Sequence, residues 1–108
     1  MRLLLIALVW FGFRTPSGNI VCNGGAASVA CVVFSASPTC QKTWSLRSTG
    51  RATFRCVYAN IGTDVSALAY GRSISRGGIR CVSRRTGLTC TNRSRHGFFL
   101  SRGLQRTF

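Results

Sequence analysis

Six positions in this chain carry sulfur chemistry, and their spacing indicates which kind. Cys22, Cys31, Cys40, Cys56, Cys81 and Cys90 stand 9, 9, 16, 25 and 9 residues apart. Zinc ligands come as closely spaced pairs of the Cys-x-x-Cys type, or as cysteine pairs combined with histidine pairs. None of these intervals has that form, and the chain has a single histidine, His96. The cysteines therefore read as three disulfides rather than a metal site. Connectivity does not follow from counting, although 22–31, 40–56 and 81–90 are preferred because each would join neighbouring strands. Disulfides persist in oxidising compartments, which points to export into a periplasm or the extracellular space.

Acid–base and nucleophilic chemistry find little to work with. Catalysis by paired carboxylates needs two of them, and Asp64 is the only acidic residue. A serine could be combined with His96 and Asp64, yet nothing places one on a nucleophile elbow, and a triad is recognised by geometry. His96 precedes Gly97 and reads as a turn histidine held by backbone. Gly24-Gly25 and Gly77-Gly78 read as turn or bulge glycines, not as a phosphate loop. The chain is read as a non-enzyme without a cofactor, with a small hydrolase using His96 as the weakest alternative.

Anion binding is what the composition favours. Fourteen arginines and Lys42 face one acid, a formal net charge of +14. Charge of that density repels itself and attracts polyanions such as lipid headgroups, envelope polymers or nucleic acid. The arginine fork pairs bidentately with phosphate and carboxylate. The candidate anion-binding residues are Arg72, Arg76, Arg80, Arg84, Arg85, Arg93, Arg95 and Arg102, and they form one patch if the sheet stacks them together. Phe98, Phe99 and Phe108 could stack on bases, but Phe98-Phe-Leu100 is apolar enough to be a buried strand. Nucleic acid is compatible with the charge, although no recognition motif is present. The expected partner is an anionic polymer, a membrane surface or an acidic protein. A structural or accessory subunit of an envelope assembly is the alternative role.

The elements that would position these groups are short strands. Residues 79–83 and 88–92 alternate as a hairpin around Arg84-Arg-Thr-Gly87, which sets Cys81 directly opposite Cys90, where a disulfide can close. Alternation then turns Arg80 away from the face carrying Ile79 and Cys81. Ser17-Gly-Asn-Ile-Val-Cys22 and Arg76-Gly-Gly-Ile-Arg-Cys81 share the pattern x-Gly-x-Ile-x-Cys, each with a further cysteine nine residues on. One cystine-clipped hairpin is thus repeated. Thr15-Pro-Ser-Gly18 is a turn by its Pro and Gly, and residues 35–38 form another. Residues 40–46 and 52–58 make a third hairpin around Arg47-Ser-Thr-Gly50, with Cys40 opposite Cys56 and with Trp44, Phe54 and Tyr58 as core or half-buried groups. Residues 60–67 are loop-like, and residues 68–74 form a further short strand. Outside residues 3–11 no apolar stripe has helical period. The expected fold is a small all-β sandwich or barrel built from short antiparallel hairpins and stabilised by disulfides. It is a single domain over residues 13–108.

Residues 1–12 join a basic start to the run Leu3-Leu-Leu-Ile-Ala-Leu-Val-Trp-Phe11, the form of a signal peptide, and are too short to span a bilayer. They are read as an export signal, or as an anchor that holds the protein at a membrane if it stays uncleaved.

Phe13-Arg-Thr-Pro-Ser-Gly-Asn-Ile-Val-Cys22, Leu68-Ala-Tyr-Gly71, Gly87-Leu-Thr-Cys-Thr-Asn92 and His96-Gly-Phe-Phe-Leu-Ser-Arg102, in that order, resemble the DUF6636 family of small exported proteins. The resemblance runs from Phe13 to Phe108. It implies a secreted or periplasmic cysteine-rich domain and carries no established activity with it. The short signal and the near absence of acidic residues depart from the family pattern.

Overall fold

The computed structural model describes residues 11–34, 41–57 and 64–108, and every regular element among them is a strand. Ten strands follow in order: β1 (Phe11–Arg14), β2 (Ile20–Gly24), β3 (Ser28–Val33), β4 (Gln41–Arg47), β5 (Thr53–Val57), β6 (Ser73–Arg76), β7 (Ile79–Arg84), β8 (Gly87–Thr91), β9 (Gly97–Leu100) and β10 (Gln105–Thr107). β1 to β5 make one sheet in chain order, and β6 to β10 make a second in the same way. Both are antiparallel meanders. The inner faces of the two share one apolar core, so the fold is an open sandwich rather than a closed barrel.

The repeated hairpin sits at the centre of each sheet. Cys22 is directly opposite Cys31 and Cys81 directly opposite Cys90, and both pairs are bonded, with Cα atoms 4.1 and 4.0 Å apart. The repeat extends further than its sequence motif. In the first sheet one cross-strand row reads Phe13, Cys22, Cys31, Trp44, Phe54; in the second it reads Ile74, Cys81, Cys90, Phe98, Thr107. Each second cysteine thus has an aromatic ring across from it on the next strand. Trp44 and Phe98 are buried, and side chains of this kind contribute about 1.5–3 kcal/mol each when fully removed from water.

Turn chemistry explains the hairpin ends. The Gly18 amide bonds the Thr15 carbonyl at 2.8 Å, closing the expected Thr15–Gly18 turn. Gly77 and Gly78 form the two-residue loop between β6 and β7 with φ of 55° and 84°, conformations that favour glycine. Gly77 has a second reason to lack a side chain, because a Cβ there would overlap the Ala26 carbonyl in the β2–β3 turn of the other sheet.

The sheets are also joined by polar contacts. Asn92, buried after β8, donates from Nδ2 to the carbonyls of Arg47 (2.9 Å) and Gly50 (2.7 Å) in the β4–β5 connection. Its Oδ1 accepts from the amides of Ser94 (3.0 Å) and His96 (3.1 Å). Asn92 thereby ties one end of the two sheets together, beside the Arg93 amide on the Ser48 carbonyl and the Gly50 amide on Ser94 Oγ, both 3.1 Å. On the opposite flank, the edge of β1 is covered by the chain just before β6: the Arg14 amide bonds the Ser66 carbonyl, and the Leu68 amide bonds the Arg14 carbonyl. That pairing hides one exposed sheet edge.

Four expectations need correction or restriction. The β4–β5 register places Lys42, not Cys40, opposite Cys56, because the connection between these strands is shifted from a symmetric turn about residues 47–50. Cys56 is disulfide-bonded, while Cys40 lies outside the described residues. The strand expected over residues 68–74 is displaced to Ser73–Arg76, since Gly71 at φ 86° sits in a turn closed by the Arg72 amide on the Ala69 carbonyl. Phe54 packs on Trp44 with ring centroids 4.7 Å apart but stays 47% exposed, as befits the last strand of its sheet. Tyr58, the turn at residues 35–38, residues 60–63 of the expected loop and residues 1–10 of the signal-like segment lie outside the described residues; Phe11 and Gly12 of that segment pair with β2.

Two stability outcomes follow. Replacing Cys22 and Cys31 together by alanine, or Cys81 and Cys90 together, is expected to cost about 3 kcal/mol in urea unfolding, from the loop each bond closes. Asn92→Ala leaves two carbonyls and two amides without their partner and is expected to cost about 2–4 kcal/mol in the same measurement. A loss near zero would show that the sheets are held together elsewhere.

Candidate anion-binding site

Strand direction divides the arginines between the two ends of the sandwich. β7 runs from Ile79 to Arg84 with a burial pattern that alternates strictly except at Val82, so Arg80 stands on the outer face as expected, and Arg84, expected in the turn, ends the strand on the same face. Arg76, at the other end of its hairpin, lies over the Phe11 ring at 5.4 Å. Arg93 lies against Gly78, and Arg95 takes a left-handed φ of 64° in the β8–β9 connection. Arg72 is exposed, beside Ser83 at the end that carries Arg84. The eight candidates therefore do not form a single patch.

Three of them do converge. The β1–β2, β7–β8 and β9–β10 turns meet at one end of the sandwich around a cleft of about 340 Å³, lined by Arg84, Arg85 and Arg102 with Ser17, Asn19 and Tyr70. Its volume is at the lower end of the range for small-ligand sites. Each arginine is held differently. Arg84 closes β7 opposite Gly87. Arg85 follows in the turn, with its guanidinium 5.1 Å from the centroid of the Tyr70 ring, a contact contributing about 0.5–1 kcal/mol when exposed. Arg102 rides on a braced turn: Gln105 Nε2 donates to the carbonyls of Ser101 (2.7 Å) and Arg102 (3.2 Å), and Ser101 Oγ both donates to the Leu104 carbonyl and accepts from its amide at 3.0 Å.

The wall opposite is braced as well. Thr15 Oγ1 accepts from the Ile20 amide at 3.3 Å, Ser17 Oγ accepts from the Asn19 amide at 3.3 Å, and Arg14 donates to the carbonyls of Thr15 and Pro16 at 3.2 Å. The Ser17 hydroxyl proton remains able to point outward. No acidic side chain lines the cleft, so its charge is not neutralised from within. Guanidinium forks with hydroxyl and amide donors suit a phosphate, sulfate or carboxylate group.

His96 takes no part in this cleft. Its Nδ1 lies 3.2 Å from the Phe108 carbonyl, the backbone-held role expected of it. Of the terminal aromatics, Phe98 is fully buried, while Phe99 and Phe108 flank the Arg106 guanidinium at 5.8 Å each. Asn19 and Tyr70, which line the cleft, and Gln105, which braces its turn, were not singled out from sequence, because nothing local links them to Arg84.

A family model described as a family of unknown function, DUF6636, matches residues 39–108, more than half of the chain. The chain belongs to that family. The match takes in β4 to β10, and therefore the whole second sheet with Arg84, Arg85 and Arg102. No curated protein and no solved structure matches the chain significantly. Membership in DUF6636 brings no activity with it, and any function has to be argued from the site.

Proposed function

We propose that this DUF6636 protein is an exported, non-catalytic binding module that holds an anionic ligand through its arginines. The observation that carries this reading is the convergence of Arg84, Arg85 and Arg102 on one acid-free cleft, in a chain whose fifteen basic residues face a single carboxylate side chain. The buried cystines of both sheets suit an oxidising compartment. The bracing of the β9–β10 turn supports binding because it fixes the backbone from which Arg102 projects, and the Tyr70 ring orients Arg85.

Total charge and site geometry can be separated. The triple substitution Arg84→Gln, Arg85→Gln, Arg102→Gln removes three charges from the cleft, and Arg76→Gln, Arg93→Gln, Arg95→Gln removes three from the other end. Titrated with heparin at fixed salt, the cleft triple is expected to bind at least tenfold more weakly than wild type, and the other triple within a few-fold of it. Equal losses would reduce the interaction to net charge. Wild-type affinity should fall steeply with salt, and binding unchanged at high salt would refute the arginine mechanism. Protein recovered from its host without reductant is expected to show no free thiol, whereas a cytosolic location would leave thiols titratable.

A further inference from the structure

The cleft does not end at Arg102. Asn19 and Arg102 also line a second cleft of about 580 Å³, together with Lys42 and Gln105. Lys42 and Gln105 in turn line a third, of about 360 Å³, with Phe54, Trp44 and Arg106. Neighbouring clefts share lining residues, so the three lie in series along one groove-like track. It starts at the β7–β8 turn, passes the β9–β10 turn and ends on the flank between β5 and β10. Basic residues occur along its whole length: Arg84 and Arg85, then Arg102, then Lys42, then Arg106. Asp64 lines none of its three parts. The last part offers an aromatic face, Phe54, 47% exposed and backed by Trp44 at 4.7 Å.

A lone phosphate would use one part of this groove and leave the rest unmatched. A flat anionic surface or a stiff duplex could not follow a path that bends around a turn. Cations spaced along a groove with an exposed ring at one end fit a flexible chain that carries a charge on every unit. From this we infer that the ligand is a linear phosphodiester chain bound along its backbone, a deepening that rests on the anion-binding reading above. Such a chain could be a single nucleic-acid strand or a polyol-phosphate polymer, and the shared chemistry is what the groove recognises.

The test uses the full chain with homothymidine oligonucleotides of increasing length, abasic oligomers of matched length, and a duplex. Affinity is expected to rise with strand length and then level off once the groove is filled. The logarithm of affinity should fall with the logarithm of salt with a slope of about −3.5, for five phosphates at about 0.7 each. Arg102→Gln and, as a second variant, Lys42→Gln should each weaken long strands about tenfold and lower the slope by about 0.7, with the melting temperature unchanged. Arg95→Gln, off the groove, should do neither. Tighter binding of the base-carrying strand, lost in Phe54→Ser, supports the inference and assigns a nucleic-acid source; equal binding of abasic oligomers supports it and assigns a polyol-phosphate source. Length-independent affinity, a duplex bound as well as the single strand, or indifference to Arg102→Gln and Lys42→Gln would overturn it. Wild-type protein that binds no anion at all would instead overturn the anion-binding reading beneath it.

Discussion

A bond between the sulfurs of two directly opposed cysteines can close in only one register of an antiparallel pair. A slip of one residue would turn one thiol to the other face of the sheet. This constraint acts twice here, at Cys22–Cys31 and at Cys81–Cys90, and in both places at the middle of a five-stranded sheet. Once the central pair is fixed, alternation dictates the rest. Trp44 and Phe98 must face inward beside the second cysteine, and Arg80 and Arg84 must face outward. The position of the charges on the surface is therefore set by bonds in the core.

The same bonds bear on how so basic a chain stays folded. A net charge of +14 on 108 residues opposes compaction, and one carboxylate side chain offers little relief. Cross-links act on the unfolded chain by limiting its freedom, so they stabilise the fold without needing any favourable surface electrostatics. The surface is then free to remain unneutralised. Arginines that would elsewhere be drawn into ion pairs instead lie over rings, as Arg76 does on Phe11 and Arg85 on Tyr70, or line open clefts.

Much of this architecture was legible in the sequence, and the reasons differ by element. The β7–β8 register followed from a short loop between alternating strands, and the Thr15–Gly18 and Gly77-Gly78 turns followed from residues with restricted or special backbone freedom. The β4–β5 register did not, because a connection of several residues without a fixed geometry allows a shift, and here it placed Lys42 opposite Cys56. Residues 68–74 looked like a strand by composition, but Gly71 bends the chain, and the backbone at Ser66 and Leu68 serves the edge of β1 instead. The doubling of the five-strand meander was visible only as a six-residue echo, since the outer strands of the two sheets share a position and not a sequence. The groove was the least legible feature. Lys42 on β4 and Arg84 at the end of β7 reach neighbouring clefts only because the turns carrying Asn19 and Arg102 line both.

Both described cystines join neighbouring strands within one sheet, and neither crosses from sheet to sheet. The contact between the sheets depends on core packing and on hydrogen bonds at one end, two donated by Asn92 to Arg47 and Gly50, one from the Arg93 amide to Ser48 and one from the Gly50 amide to Ser94. If such a chain were stretched from its two ends, this arrangement would have a mechanical consequence. Under tension the two leaflets would separate before either hairpin core could unravel. Each cystine would then withhold about 30 Å of contour length from the stretched chain, the reach of the nine-residue separation it closes. Reducing conditions would release that length, so the extension at which the stretched chain goes taut would differ between its oxidised and reduced forms.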